Sequence, residues 1–378
     1  MALRFQDGRL LVVDAATGEE KWAVQAHAGQ FGQGQIYSRG RRAMSPDGRF
    51  LASLGGAAKS WRLWDVVSGA LHMVGSAHDG SGSCICEEDP DLGIRVVQAG
   101  CPVVAHNGGL SAVAFSPCGR RFATGGEDDA VILWDAQTGK AEQRIWRASE
   151  GHPGVPSLSF SASGARLASG GLDGSVHVLD APTGSLLHKL EGLKLRYPCW
   201  VQFSPTDNDI LVTTGGYSVI RVWDVESGIV KEFEGSTFAV FSPDGHTIAT
   251  RRHSSQHDVV LIDVESGHRQ LSMVGGPLTL QLQKLCVSSA CFSVDGSKLA
   301  SVNSDGSCKV WNSSTGALLR TIDLGTSNPA ISVVWGRDWV GETQTWMAFS
   351  MGHHPRLGEG SQVLALDVEV VRMILDRV

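Results

Sequence analysis

The sequence lacks the short motifs by which several classes of enzyme and membrane protein are recognised. It contains no Gly-x-Ser-x-Gly elbow, no Walker A loop and no Cys-x2-Cys pair. It also has no uninterrupted apolar stretch of about 18 residues, the length that suggests a membrane-spanning helix. These absences leave a hydrolase, a nucleotide-binding enzyme and a membrane-spanning protein without support in the sequence.

The chain also lacks an excess of positive charge. It has 32 Lys and Arg against 39 Asp and Glu, a net charge of −7. Without a bulk basic field, nucleic acid and membranes are not expected as partners unless the contact is local. The first residues lack the apolar segment of a signal peptide, and the eight cysteines mostly stand singly within predicted strands. We expect a cytoplasmic location, with the nucleus as the alternative.

Glycine, in contrast, is abundant. The 378 residues include 46 glycines, and 42% of the chain is hydrophobic. This composition supplies a large core and a turn every few residues, and it makes a long helix unlikely. A chain of this length would ordinarily form two or three domains, but a repeat array can use it in one ring.

The segment from His106 to Gly139 contains the pattern that the rest of the chain repeats. It predicts strand a at Leu110–Phe115, strand b at Arg121–Thr124 and strand c at Val131–Trp134, with tight Gly-containing turns between them. A second tight turn, Asp-Ala-Gln-Thr-Gly, leads into strand d at Lys140–Trp146. The unit is therefore predicted to be a four-stranded antiparallel meander.

The end of strand c recurs eight times as Trp-Asp or a degenerate form of it. These corners are Val13-Asp14, Trp64-Asp65, Trp134-Asp135, Leu179-Asp180, Trp223-Asp224, Ile262-Asp263, Trp311-Asn312 and Leu366-Asp367. The first seven are followed by Thr-Gly or Ser-Gly, whereas the eighth has Val370-Val371 at that place. The turn between strands a and b recurs in most repeats as Ser-Pro-Asp-Gly or a close variant.

This pattern resembles the WD40 repeat, which forms one four-stranded blade of a β-propeller from about 40–45 residues. The resemblance covers essentially the whole chain and implies an all-β fold: a single propeller domain over residues 1–378, with a loop insertion at about 76–105. It also implies an internal hydrogen-bonded network within the third blade, formed by His106, Thr124, Asp128 and Trp134. We expect this network to be structural and the protein to be no enzyme, because a buried polar network of this kind is normally structural.

The number of blades depends on the two ends of the chain. Residues 1–27 supply strands b, c and d without a strand a, and repeats two to eight each supply all four. Because a ring of seven would leave the N-terminal strands with exposed edges, we favour eight blades. The alternative is a seven-bladed ring in which the strand around Trp22 replaces the last strand of the C-terminal blade.

The long insertions predict which face binds a partner. In a meander the a–b and c–d turns share one face, and the b–c and d–a connections share the other. The long connections 76–105, 251–258, 275–284 and 351–361 all belong to the second face. Insertions on one face of a repeat protein often mark its binding face, so we expect a non-catalytic scaffold that binds a protein or peptide there.

Basic and aromatic residues near that face form the predicted partner-binding site. They are Arg39, Arg41, Arg42, Lys194, Arg196, Tyr197, Trp200, Arg251 and Arg252. Arg39 and Arg42 align with the apolar Leu110 and Val113 of the third repeat, and such a local violation is typical of functional sites. Arg and aromatic side chains often dominate binding, and the chain is otherwise acidic, so we expect an acidic or phosphorylated peptide. The alternative is a shifted register that turns these arginines to solvent.

Two further hypotheses concern metals and cofactors. Cys84, Cys86, Cys101 and His106 have the residue types of a zinc site, although their spacing fits no standard zinc motif, and we expect no metal or cofactor. The segment Asp14 to Trp22 resembles the Trp-docking repeat of quinoprotein propellers, which keeps an oxidoreductase as the alternative function.

That resemblance is confined to one repeat. By turn spacing, the positions that match Trp22 are Met73, Gln143, His188 and Glu232, none of which is a tryptophan.

Overall fold

The described residues form β-strands and turns. The structure is a computed structural model that describes residues 1–5, 9–14, 17–26, 42–55, 60–76, 106, 108–146, 154–190, 200–214, 219–251, 258–273, 287–303, 307–323 and 330–334. Within these ranges, no helix has the length and apolar character needed to cross a membrane.

The strands assemble into seven four-stranded antiparallel sheets within the part of the chain that is described. Blade 1 contains β1 (Ala2–Phe5), β2 (Arg9–Val13) and β3 (Glu20–Gln25); blade 2 contains β4 (Arg42–Met44), β5 (Phe50–Gly55), β6 (Ser60–Asp65) and β7 (Leu71–Ser76); blade 3 contains β8 (Leu110–Phe115), β9 (Arg121–Gly126), β10 (Ala130–Asp135) and β11 (Ala141–Trp146). Blade 4 contains β12 (Ser157–Phe160), β13 (Arg166–Gly170), β14 (Val176–Asp180) and β15 (Leu186–Leu190); blade 5 contains β16 (Trp200–Phe203), β17 (Ile210–Thr214), β18 (Val219–Asp224) and β19 (Val230–Glu234). Blade 6 contains β20 (Ser236–Phe241), β21 (Thr247–Arg251), β22 (Val259–Asp263) and β23 (Arg269–Met273); blade 7 contains β24 (Val287–Phe292), β25 (Lys298–Asn303), β26 (Ser307–Asn312) and β27 (Leu318–Asp323); β28 (Ala330–Val334) completes blade 1.

The prediction of eight blades is wrong, and so is the closure proposed for seven. Strand β28 pairs antiparallel with β1, with Leu3 opposite Val333, so the start of the eighth repeat supplies strand a of blade 1. Strand β3, which carries Trp22, remains strand d of its own blade. This pairing covers the β1 edge that a ring of seven would otherwise expose. The other strands predicted for the eighth repeat, at 345–350, 363–367 and 371–375, lie outside the described residues.

The strands predicted from the segment His106 to Gly139 and the strand d that follows it are confirmed. Strand β8 has the predicted bounds, and β9, β10 and β11 differ from prediction by at most two residues at either end. The agreement follows from the alternation of β-branched runs with turns that need glycine.

A hydrophobic cluster fills the junction between each blade and the next, so the core is divided into seven parts. Between blades 2 and 3 the cluster is aromatic: the Trp61 ring lies 4.9 Å from Phe122 and 5.3 Å from Trp134 between centroids. Between blades 7 and 1, Leu3 and Leu11 pack with Val302 and Val310. The ring is therefore held together by side chains between the sheets.

The c–d turns share one hydrogen-bonding pattern. In blade 3, Oδ1 of Asp135 accepts hydrogen bonds from the Thr138 amide at 2.6 Å and from the Thr138 hydroxyl at 2.7 Å. The Thr138 hydroxyl and amide hold the pKa of Asp135 below its ordinary value. Gly139 follows with φ of 68°, which a residue with a Cβ rarely adopts. The repeated Asp-x-x-Ser/Thr-Gly sequence thus forms a self-contained turn.

The cysteines fit the sequence expectation only in part. Cys308 is buried and Cys291 is partly buried, as expected of small apolar side chains, but Cys118 is exposed in the a–b turn of blade 3. These three are free thiols.

Candidate functional site

The network predicted in blade 3 is present. The indole N–H of Trp134 donates to Oγ1 of Thr124 at 2.8 Å, and Thr124 Oγ1 lies 2.9 Å from Nε2 of His106. His106 Nδ1 lies 2.8 Å from Oδ1 of Asp128. With the ring proton of His106 on Nδ1, Trp134 donates to Thr124, Thr124 donates to His106, and His106 donates to Asp128. Each of these polar atoms then has a hydrogen-bond partner.

Arg144 extends the network, which the sequence analysis missed. Its guanidinium donates to Oδ2 of Asp128 at 2.8 Å. Both oxygens of this nearly buried carboxylate are therefore occupied, one by His106 and one by Arg144. The only sequence signal for this role is a single arginine in strand d opposite Ile132, which is too weak to assign it.

The order Thr124, His106, Asp128 resembles a catalytic triad, but its surroundings exclude that use. Thr124 has no exposed surface and His106 is 1% exposed. The Thr124 hydroxyl is also the acceptor for Trp134, and no substrate could reach it. The network stabilises the blade, as a satisfied buried polar network does.

The zinc hypothesis loses its fourth ligand. Both ring nitrogens of His106 are engaged, one with Thr124 and one with Asp128, so neither is available to a metal. Cys84, Cys86 and Cys101 lie outside the described residues. Among the residues that are described, no group of three or more His, Cys, Asp or Glu could hold a metal ion.

Three other blades keep half of the network. In each, the indole N–H of the corner tryptophan donates to a buried hydroxyl on strand b: Trp64 to Ser53 at 2.8 Å, Trp223 to Thr213 at 2.9 Å and Trp311 to Ser301 at 2.9 Å. Blade 4 has Leu179 at this corner, and there Ser169 donates to the His177 carbonyl instead. The tryptophans of the repeat therefore link strands b and c by a side-chain hydrogen bond.

Three predicted partner-binding residues fall in the described ranges, at one end of their sheets. Arg42 is the first residue of strand a in blade 2 and pairs with Ser53, as Val113 pairs with Thr124 in blade 3. The backbone register therefore places Arg42 at the position of Val113, as the sequence alignment predicted. Trp200 begins strand a of blade 5, and Arg251 ends strand b of blade 6.

All three residues lie where the d–a and b–c connections leave the sheets. The remaining residues of the predicted site, Arg39, Arg41, Lys194, Arg196, Tyr197 and Arg252, lie outside the described residues.

Trp22 docks on the next blade. Its indole N–H donates to the Val66 carbonyl at 2.8 Å, and a Cβ added to Gly69 would lie 3.0 Å from its ring. Other blades make the same kind of contact with other side chains. Gln143 donates to the Thr183 carbonyl at 2.6 Å, and Met73 packs against Gly139. The feature that suggested a quinoprotein is therefore a packing contact between blades.

The residue matching Trp22 in blade 5 was predicted to be Glu232, and this is wrong. In six blades the pairing of strands c and d shifts by one residue just after the corner, which places Trp22 opposite Val12. Blade 5 has no such shift, and Lys231 lies opposite Val222. Lys231 accordingly makes the equivalent contact, donating from Nζ to the Glu265 carbonyl at 3.0 Å.

The architecture and the repeated corner define a class of protein. Seven four-stranded blades with side-chain contacts from each strand d to the following turn make a β-propeller. Residues 100–135 and 278–312 match the family model of the WD domain, G-beta repeat, and residues 141–205 match that of the anaphase-promoting complex subunit 4 WD40 domain. These matches and the propeller fold confirm the resemblance to the WD40 repeat that the sequence pattern predicted.

Two curated relatives match shorter segments. Protein HIR1 of Yarrowia lipolytica is 28% identical over 106 residues, which are 28% of this chain and 10% of that protein. The WD-40 repeat-containing protein MSI4 of Arabidopsis thaliana is 36% identical over 106 residues, 26% of this chain and 20% of that protein. The chain thus matches only a fifth or less of the length of these relatives.

The solved structure of U3-55K has a similar fold. It superposes with a TM-score of 0.59 over 75% of this chain and 80% of that one, at 18% sequence identity. At this identity the similarity shows the fold alone.

Proposed function

We propose that this propeller is a non-catalytic scaffold that binds a protein or peptide on the face formed by the d–a and b–c connections. The observation that carries the proposal is the position of Arg42. Its strand register gives a charged residue the place that Val113 occupies in the next blade, where the side chain is 4% exposed. A charged residue at a position that is apolar in the third repeat breaks the pattern of the repeat, and such local violations tend to occur at functional sites.

Two further residues support the choice of face. Trp200 is partly buried at the start of β16, and Arg251 is partly buried at the end of β21. Both belong to the residue types that most often dominate the energy of protein interfaces. They occupy the edge from which the predicted partner loops extend.

The charge of the chain suggests the chemistry of the partner. With a net charge of −7, the molecule attracts acidic ligands only where arginines are gathered. Arginine binds carboxylate and phosphate groups in a bidentate manner. The proposed partner is therefore an acidic or phosphorylated segment of a protein.

The site in blade 3 gives no competing function. Its triad-like residues are buried and fully engaged with one another. The oxidoreductase alternative has less support, because the docking tryptophan of blade 1 is replaced by Met73, Gln143 and Lys231 in blades 2, 3 and 5. A scaffold agrees with the WD40 repeats that the family models match.

The proposal is tested by reversing charge on the predicted face. Arg39, Arg196 and Arg252 are replaced together by Glu, and partners captured from a native extract by the wild-type and variant chains are compared by quantitative mass spectrometry. We expect the specific partner to be lost from the variant while the melting midpoint is unchanged. The matched control replaces Arg120, Lys140 and Arg269 by Glu, because these residues are exposed at the opposite ends of the sheets.

The control has the same change in net charge, so it should retain the partner. Retention of the partner by the first variant, or its equal loss from both, would show that the partner does not bind through the predicted arginines.

A further inference from the structure

A groove of about 210 Å³ lies between blades 5 and 6. Its apolar walls include Ile210, Val222 and Ile229 of blade 5 and Val264 of blade 6. The groove is bordered by a–b and c–d turns, which places it on the face opposite the d–a and b–c connections. It is therefore separate from the site of the proposed function.

The groove lies beside the strand d of blade 5, which has no register shift. In the other six blades one extra residue of strand d bulges beside the c–d turn. Strand β19 lacks that residue between Val230 and Lys231, and Ile229 and Lys231 both line the groove. Among the seven blades described, the groove therefore lies beside the one whose strand d lacks the bulge.

Ile229 is the most exposed large apolar side chain among the described residues, at 62%. The next residue, Val230, is 37% exposed. The turn is also open on its other side, because no atom lies within 4 Å of a Cβ placed on Gly228. The corresponding glycines, including Gly69 and Gly267, are each covered by a side chain of the preceding blade. Burying Ile229 against a partner would remove this apolar surface from water.

The size of the groove points to a side chain as its occupant. Pockets for small organic ligands usually enclose about 300–1,000 Å³, which is more than this groove offers. A single aliphatic side chain of a peptide needs less space and would pack against Ile210, Val222 and Val264.

The charges around the groove select the flanking residues of the occupant. Carboxylates of Asp224 and Glu265 line it, and Asp244 lies next in sequence to the lining residue Gly245. Asp209, which precedes Ile210, is already paired with Arg166. The amide of Ser227 and its hydroxyl hold the pKa of Asp224 below its ordinary value, which keeps the carboxylate charged at neutral pH.

Lys231, whose Nζ donates to the carbonyl of Glu265, brings one positive charge to the lining, against the two carboxylates of Asp224 and Glu265. The edge of the groove therefore presents negative charge to a ligand.

We propose that this groove is a second docking site, which receives a segment of a partner protein with an aliphatic side chain next to a Lys or Arg. The aliphatic side chain packs beside Ile229, and the basic residue lies near Asp224 and Glu265. This chemistry is opposite in sign to that of the ligand proposed for the other face. The two faces can then hold two different partners at once.

The test uses a random linear-peptide library displayed on phage. The library is selected on the immobilised full chain and counter-selected on Ile229→Asp, and enriched peptides are synthesised for affinity measurements. We expect enriched sequences to combine an aliphatic residue with an adjacent Lys or Arg. Their affinity should fall by about tenfold or more in Ile229→Asp and in Glu265→Lys.

Leu318→Asp is the matched control. Leu318 is 49% exposed at the start of strand d in blade 7, so the control makes a similar change at a similar position away from the groove. The affinity should be unchanged in this variant. The affinity of the peptides for the wild-type chain should also weaken as ionic strength rises from about 0.1 to 1 M, because the screening length falls from about 10 to 3 Å.

Several results would overturn the proposal: enrichment of acidic peptides, no enrichment at all, or equal affinity for wild type and Ile229→Asp. Self-association of the wild-type chain that Ile229→Asp abolishes would assign the groove to a second copy instead. Replacing Arg39, Arg196 and Arg252 should leave peptide binding unchanged, so that failure of one site is distinguished from failure of the other.

Discussion

Arg144 and His106 bind opposite oxygens of one buried carboxylate, that of Asp128, each at 2.8 Å. The three side chains are 14%, 1% and 6% exposed. The positive charge of Arg144 therefore balances the negative charge of the Asp128 carboxylate. The His-Thr-Asp-Trp network of the WD40 repeat does not itself include this arginine. Trp64, Trp223 and Trp311 also donate to a hydroxyl on strand b. In blade 3 that hydroxyl is linked onward through His106 to Asp128 and Arg144.

Replacing Asp128 by Ala should lower the free energy of unfolding by about 2–4 kcal/mol. The change removes the acceptor of His106 and the carboxylate that pairs with the largely buried Arg144. Denaturant unfolding monitored by tryptophan fluorescence would measure the loss.

Glu142→Ala is the control for this experiment. Glu142 pairs with Arg121 at the surface at 2.7 Å, and exposed pairs of this kind contribute at most about 1 kcal/mol. If both variants lost the same small amount, the network in blade 3 would contribute no more than a surface ion pair.

The sequence predicted the strands within a repeat well and the closure of the ring poorly. The bounds of β8 follow from a local apolar run between turns, which is visible in a few residues. The pairing of β1 with β28 joins Leu3 to Val333 across almost the whole chain. No local pattern distinguishes a strand that completes blade 1 from one that begins an eighth blade.

Local sequence also predicted only some of the residues at the candidate sites. The c–d turns have the same length in all blades, so turn spacing predicted that Glu232 matches Trp22. In the structure Lys231 takes that place, because strand d of blade 5 lacks the bulged residue of the other blades. The sequence of the turn does not show whether that bulge is present. The register of Arg42 could be predicted because the Ser-Pro turn that follows it fixes the alignment. The groove beside Ile229 could not, since it depends on the register of β19 and on the neighbouring blade.

Trp22→Ala should destabilise the junction between blades 1 and 2 by about 1–3 kcal/mol. The variant loses the packing of the ring against Gly69 and the hydrogen bond to the Val66 carbonyl. Thermal unfolding followed by circular dichroism would measure the change.

Trp22→Phe separates the two contributions, because it keeps an aromatic ring without the N–H. It should recover part of the loss. An alanine variant as stable as the wild type would mean that Trp22 does not hold the junction.

The carboxyl of Asp295 should titrate far below its usual range. Hydrogen bonds from the hydroxyls of Ser293 and Ser297 lower its pKa from 3.8 to about 2. A folded-state pKa below the unfolded one contributes stability that is complete above the unfolded value. The contribution is lost as the pH falls through the folded value, so the window runs from 3.8 down to about 2.

A carbon-detected NMR titration would locate the midpoint directly. Ser293→Ala should raise the pKa of Asp295 toward 3.8, whereas Thr321→Ala, an exposed change elsewhere in blade 7, should leave it in place. A midpoint that Ser293→Ala does not move would rule out that hydroxyl as the cause.

Inserting one residue into strand d should be tolerated in blade 5 and damaging in blade 3. In β19, an insertion between Val230 and Lys231 would supply the bulge that the other six blades have, and its expected cost is below about 1 kcal/mol. In β11, which already has its bulge, an insertion after Glu142 would move Ile145 out of its place opposite Val131. Ile145 is 7% exposed in the core between blades 3 and 4, so its loss should cost about 2–5 kcal/mol. Denaturant unfolding of the two variants gives the comparison, and equal losses would contradict the role assigned to the skipped residue.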